Sequence, residues 1–138
     1  MEERRKRTPE SLRLRSVMPM LTVNDVQASM AWYRDVLGFI VVEEYKMDGE
    51  VRGARLRAGT VEILINQDDF AKGRDRKKGV GLRLYCMTAQ EIDQLAAAIR
   101  ERGGTLTQEP QDQSWGARDF AIVDPDGFNI SISTGVES

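Results

Sequence analysis

Gln113–Ser133 reads QSWGARDFAIVDPDGFNISIS. A loop carrying Trp115 feeds a strand, Asp124-Pro125-Asp126-Gly127 turns the chain back, and a second strand leaves through alternating Ile and Ser. Successive side chains of a strand point to opposite faces, so Ile130 and Ile132 take one face and Ser131 and Ser133 the other. The Ile face belongs to a core. What the Ser face looks onto (solvent, a metal or an organic ligand) is the functional question.

Upstream, the same order of elements occurs twice. VMPMLTV (17–23) alternates as a strand, with Met18, Met20 and Thr22 on one face and Leu21 and Val23 on the other. Pro19 has no N–H to give a ladder, which favours an edge or end position. Asn24-Asp25 supplies an N-cap, and Val26, Met30, Tyr33 and Leu37 recur at helical spacing until Gly38 stops the helix. Three strands follow, FIVVEEY, VRGARLR and VEILIN. Residues 67–79, QDDFAKGRDRKKG, have no periodicity and read as a linker whose Lys77 and Lys78 are solvated. Then GLRLYCM reads as a strand, and Thr88–Glu91 as a capping box for a helix carrying Ile92, Leu95, Ala96 and Ile99. That helix ends at Gly103-Gly104, and TLTQE, WGARDFAIV and NISIS complete the set. Val23 and Met87, each the last strand residue before a helix cap, are 64 apart; GFIVVEE and GGTLTQE align at an offset of 65, RGAR and WGAR at 63. Two such modules, each too small to bury its sheet alone, would share one core. The expected core is Leu21, Val23, Met30, Tyr33, Leu37, Val61, Ile63, Ile65, Ile92, Leu95, Ile99, Phe120, Ile122, Ile130 and Ile132.

Bulk properties narrow the function. At 138 residues the chain is one domain's worth. A net charge of −2 and a pI near 5.3 argue against nucleic acid as partner. No apolar run approaches the ~18 residues of a membrane span, and residues 1–15 lack the apolar stretch of a signal peptide. They read as a polar tail whose Arg4-Arg5-Lys6-Arg7 is solvated. The single cysteine, Cys86, fits a reducing cytoplasm and reads as a small apolar residue. The chain has no histidine. That removes the commonest general base, the Ser-His and Cys-His pairs, and every imidazole metal site. Asp124 and Asp126 read as turn residues, and Tyr33 as core.

VMPMLTVNDVQASMAWYRDVLGF, GLRLYCMTAQEIDQLAAAIRERGG and WGARDFAIVDPDGFNISIS together resemble the vicinal oxygen chelate superfamily of glyoxalase I, bleomycin-resistance proteins and ring-cleaving dioxygenases. The resemblance covers residues 16–134. It implies an α+β fold of two tandem βαβββ modules, residues 16–66 and 80–134, forming an open, incompletely closed β-barrel around a cavity. Metal-using members place four inward ligands on the first, fourth, fifth and eighth strands. Those positions fall here on Met18, Glu62, Leu82 (or Leu84) and Ser131, of which only Glu62 is a good ligand for a hard cation. No metal and no cofactor are therefore expected, and the pattern is nearest the metal-free, bleomycin-resistance-like members.

The expected cavity face is Met18, Met20, Thr22, Glu62, Leu64, Leu82, Leu84, Cys86, Ser131 and Ser133, an apolar wall with a few polar groups. Trp115 would stand at its mouth, stacking on a planar ligand or, alternatively, capping the core, and Arg118 is counted among the ligand-binding residues. Glu62 would meet a cationic ligand, act as a base, or pair with Arg55, Arg57 or Arg118. Three functions follow: metal-independent binding of a small organic molecule by a homodimer, a lyase or isomerase using Glu62, or a dimeric interaction module with a filled cavity.

Overall fold

A computed structural model describes residues 10–135; the run Arg4–Arg7 lies outside the described residues. The elements are β1 (Met20–Val23), α1 (Val26–Trp32) continued by a π-helical turn (Tyr33–Leu37), β2 (Ile40–Met47), β3 (Glu50–Ala58), β4 (Val61–Gln67), β5 (Arg83–Met87), α2 (Ile92–Glu101), β6 (Leu106–Asp112), β7 (Arg118–Val123) and β8 (Asn129–Ser133). They form two four-stranded sheets of matching order, β1-β4-β3-β2 and β5-β8-β7-β6, neither closed into a barrel. In each, the strand before the helix lies parallel to the module's last strand, and the remaining pairs are antiparallel. β1 is an edge strand, so Pro19 costs the ladder nothing, and its carbonyl accepts the Leu64 N–H at 2.9 Å.

Local chemistry sets the boundaries. Asp25 caps α1 by accepting the Ala28 N–H at 3.1 Å, and Gly38 ends the π-helical turn at φ 89°, a conformation that only glycine adopts without a Cβ penalty. The capping box expected at Thr88–Glu91 does not form. The Thr88 hydroxyl accepts the Gln90 N–H instead, and Glu91 stands at the cap position without a side-chain bond.

Both sheets turn one face to a single shared core. Leu21, Val23, Leu56, Ile63 and Ile65 from the first sheet meet Phe120, Ile122 and Ile130 from the second, with Met30, Tyr33, Ile92 and Ile99 from the helical segments. Leu37, Leu95 and Ile132 are half-buried against this cluster. Val61, expected inside, is 44% exposed because it sits at the end of the β3–β4 hairpin opposite Ala58.

The modules are also joined by polar contacts that periodicity could not disclose. Asp124, in the turn between β7 and β8, accepts the Tyr33 hydroxyl at 2.7 Å together with the N–H groups of Asp126 and Phe128. Asp126 accepts the Asn24 N–H at 2.7 Å and the Ser29 hydroxyl at 3.1 Å, both at the start of α1. Burial pushes the Tyr33 phenol upward, reinforced by the charge of Asp124. Burial likewise raises the Asp124 carboxyl, against the pull of its three donors.

Lys78, expected to be solvated, is 4% exposed at its side chain and bonds Asp68 at 2.8 Å. The pair pins the linker to the end of β4. Lys78 and then the Phe70 N–H hold the Asp68 carboxyl below its ordinary value. A carboxylate whose folded pKa is depressed contributes stability above its unfolded value, about 4, and loses it as pH falls through the folded one. Asp68→Asn should therefore shrink the drop in melting temperature between pH 7 and pH 3. An identical drop in both proteins would show that the pair contributes nothing to the acid limb.

Candidate functional site

The face of each sheet turned away from the shared core carries the candidate site. On the first sheet, β1–β4 register sets Met20 beside Leu64 and Thr22 beside Asn66, while β3–β4 register adds Arg55 and Arg57 opposite Leu64 and Glu62. Met20 is 63% exposed; Thr22, Glu62 and Leu64 are half-buried. Met18 lies just before β1 on the surface. Glu62 is paired: Arg55 Nη1 reaches both its carboxylate oxygens, at 3.2 and 3.3 Å, and Arg55 Nη2 reaches Glu43 at 3.3 Å. Tyr45 follows two residues after Glu43 on the same face, opposite Gly53.

On the second sheet the expected face of β5 is reversed. β5 runs parallel to β8 with Leu84 beside Ile130 and Cys86 beside Ile132, so both pack toward the core. Leu82 precedes the strand at the surface. The residues that stand beside Ser131 and Ser133 are Arg83, Tyr85 and Met87. Arg83 Nη1 donates to Ser131 Oγ at 2.9 Å and the Tyr85 hydroxyl to Ser133 Oγ at 2.8 Å. Ser131 and Ser133 are accordingly buried, though on the expected face. Strand alternation alone leaves GLRLYCM ambiguous. The useful signal was that an all-apolar set beside the isoleucines of β8 belongs to the core.

Asp119 and Ala121 continue this face onto β7. Asp119 is buried and accepts the side-chain amides of Gln108 at 2.8 Å and Gln113 at 2.7 Å. Arg118 has the opposite parity and binds Asp93 at the start of α2 (2.8 Å) and Asp112 (3.1 Å), so it is not beside Ser131. Trp115 occupies the turn between β6 and β7 and is 52% exposed, which removes the reading of a core cap. Burial pushes the half-buried Cys86 thiol upward, away from thiolate.

The open face of each sheet lies on the side opposite the shared core. Clefts of about 580 and 340 Å³ lie at the start of α1 beside Glu44, Lys46, Glu50 and Arg52, and at the edge of the first open face between Thr22, Asp69, Lys72 and Arg76.

The four positions that the resemblance assigns to metal do not fit a divalent ion. Met18 and Leu82 offer no hard donor, Glu62 is held by Arg55, and the Ser131 oxygen faces the guanidinium of Arg83. Among the described residues no three His, Cys, Asp or Glu side chains are grouped to hold an ion.

Paired βαβββ modules with open faces and no histidine define a class of protein, and comparison with known sequences gives its family. The profile of the Glyoxalase/Bleomycin resistance protein/Dioxygenase superfamily matches residues 14–132, and the chain belongs to that superfamily. A bleomycin resistance protein of Geobacillus stearothermophilus is 28% identical over 136 residues, covering 88% of this chain and 97% of the relative. A lactoylglutathione lyase of Salmonella typhimurium is 27% identical over 132 residues, covering 86% and 91%. Among solved structures, TioX from Micromonospora sp. ML1 superposes with a TM-score of 0.70 at 20% identity, covering 86% of this chain and 97% of that one. A superfamily member from Sphaerobacter thermophilus gives 0.68 at 23% identity, covering 87% and 97%.

Proposed function

We propose that the protein binds a small organic molecule without a metal, as a bleomycin-resistance-like sequestering protein of the cytoplasm, and that the binding form is a homodimer. The observation that carries the reading is the chemistry of the open faces. They expose Met20, Tyr45, Tyr85 and Met87, and hold their polar groups in pairs rather than as a ligand set for an ion. Exposed apolar side chains on both sheets suit a two-fold partner that would wall in a groove. No helix among the described residues is long and apolar enough to cross a membrane. The relatives named as bleomycin resistance proteins support antibiotic-resistance-like binding. Calorimetric titration of EDTA-treated protein with bleomycin or with an aromatic organic probe should give, for at least one of them, a saturable heat at one ligand per chain, on particles of twice 15.6 kDa by light scattering. A monomer with no heat for this ligand or for an aromatic probe would overturn the reading.

The lactoylglutathione lyase relatives favour a second reading, an enzyme with Glu62 as base. Against it, both Glu62 oxygens lie against one guanidinium. Glu62→Gln separates the two, since it would abolish turnover but leave most of the binding.

A further inference from the structure

Of the open-face arginines, Arg57 and Arg83 have no carboxylate within ion-pair distance among the described residues, and of these two only Arg83 is held in place by a side-chain hydrogen bond. Arg55 lies between Glu43 and Glu62, and Arg118 between Asp93 and Asp112. Arg83 has no carboxylate within ion-pair distance among the described residues, and its one bond is from Nη1 to Ser131 Oγ. Its cross-strand neighbours on that face are Asn129 and Ser131 on β8, then Val123 and Ala121 on β7, none of them acidic. The acid on the same face, Asp119, lies across from Ser133 and is occupied by two glutamine amides.

A guanidinium has five N–H donors in a planar fork that matches an oxyanion. One is spent on Ser131, which holds the group in place and leaves the rest free. Because Ser131 Oγ accepts from Arg83, its own O–H remains to donate to the same anion. Two residues further along β5, about 7 Å away, the Tyr85 ring is 43% exposed, with its hydroxyl tied to Ser133. Another step on, Met87 is 67% exposed. A fixed aromatic ring and a thioether accept an aromatic body at small entropic cost.

We propose that Arg83, with the Ser131 hydroxyl, anchors the carboxylate or sulfonate of an aromatic ligand whose ring system lies along Tyr85 and Met87. The inference rests on the binding reading above and names its ligand class, an aromatic organic anion.

Two fluorescent probes with one aromatic body test it: 1-anilinonaphthalene-8-sulfonate and its neutral counterpart N-phenyl-1-naphthylamine. The wild type should bind the sulfonate about tenfold more tightly, the increment of a charge-assisted hydrogen bond. The preference should shrink with added salt. Arg83→Gln should abolish the preference, weakening the sulfonate probe far more than the neutral one, and Arg83→Lys should keep part of it. On the unaltered protein, 2-naphthoate should displace the sulfonate probe and 2-naphthamide should not, a measurement that stands even if the variants fold poorly. Equal affinity for the two probes overturns the anion anchor but leaves binding intact, whereas failure to bind either probe removes both. Loss of the dimer in Arg83→Gln with an unchanged probe preference would assign Arg83 to the subunit interface and overturn the proposal.

Discussion

Replacing Tyr33 by alanine should destabilise the fold by about 3–5 kcal/mol, the range for truncating a fully buried aromatic. For a chain of this length that corresponds to a fall in melting temperature of about 10 °C or more. Tyr33 has no exposed surface. It packs edge-on against Trp32 at 4.9 Å and Phe39 at 5.5 Å, and carries the hydroxyl that Asp124 accepts. The mutation thus opens a cavity in the layer between the two modules and takes one donor from a buried carboxylate. Tyr33→Phe isolates the second effect and should cost about 1–2 kcal/mol. Thermal unfolding of the pair checks both magnitudes. If phenylalanine and alanine cost the same, the ring contributes little and the hydrogen bond is the whole effect. A cost below about 1 kcal/mol for alanine would mean that the modules do not depend on this contact.

Trp115→Ala should show the reverse profile. Half of the side chain is exposed in a turn, so its loss should change stability by less than about 1 kcal/mol. If the indole stacks on the ligand, affinity should fall by about 5- to 150-fold, equivalent to about 1–3 kcal/mol of lost stacking and burial. Its emission should change on titration with an aromatic ligand, while Trp32, packed on Tyr33, gives a constant background. Unchanged affinity and emission would take Trp115 out of the site.

The fold was legible because each line of local information agreed with the others. The offset of Val23 to Met87, the stop at Gly38 and the alternation of Ile130 to Ser133 all required two modules of one design. Assigning faces needed more. In β1 and β8 one face is apolar and the other mixed, so parity alone separates them. In GLRLYCM, the all-apolar Leu82, Leu84 and Cys86 alternate with Arg83, Tyr85 and Met87, so hydrophobicity favours the first set for the core, while the transferred metal positions put it in the cavity. The pairing with β8 decides for the core and brings forward Arg83 and Tyr85. Arg118 was expected among the ligand-binding residues and as a possible partner of Glu62, yet the strand's two-residue period sends it toward α2. The Lys78–Asp68 pair was equally invisible, since nine residues of aperiodic chain separate its partners. Glu62 is the case in which the plain alternative of an ion pair was written in the sequence, as Arg55 seven residues before it.

The parallel pairing that completes each sheet also governs how the chain reaches its native state. Met20 lies beside Leu64, 64 − 20 = 44 residues away, and Leu84 beside Ile130, 130 − 84 = 46 residues away. Closing a loop of that length costs about 3 kcal/mol of chain entropy beyond a constant, whereas Ala58 and Val61 meet across a two-residue turn. The hairpins can therefore zip early and reversibly, and the edge strands β1 and β5 can dock only after an intervening helix and three strands have taken up their order. Folding should run at the slower rates typical of non-local topologies. Until β1 and β5 arrive, Ile63, Ile65 and Ile130 are incompletely covered, which makes the interval before docking the time of greatest exposure to aggregation.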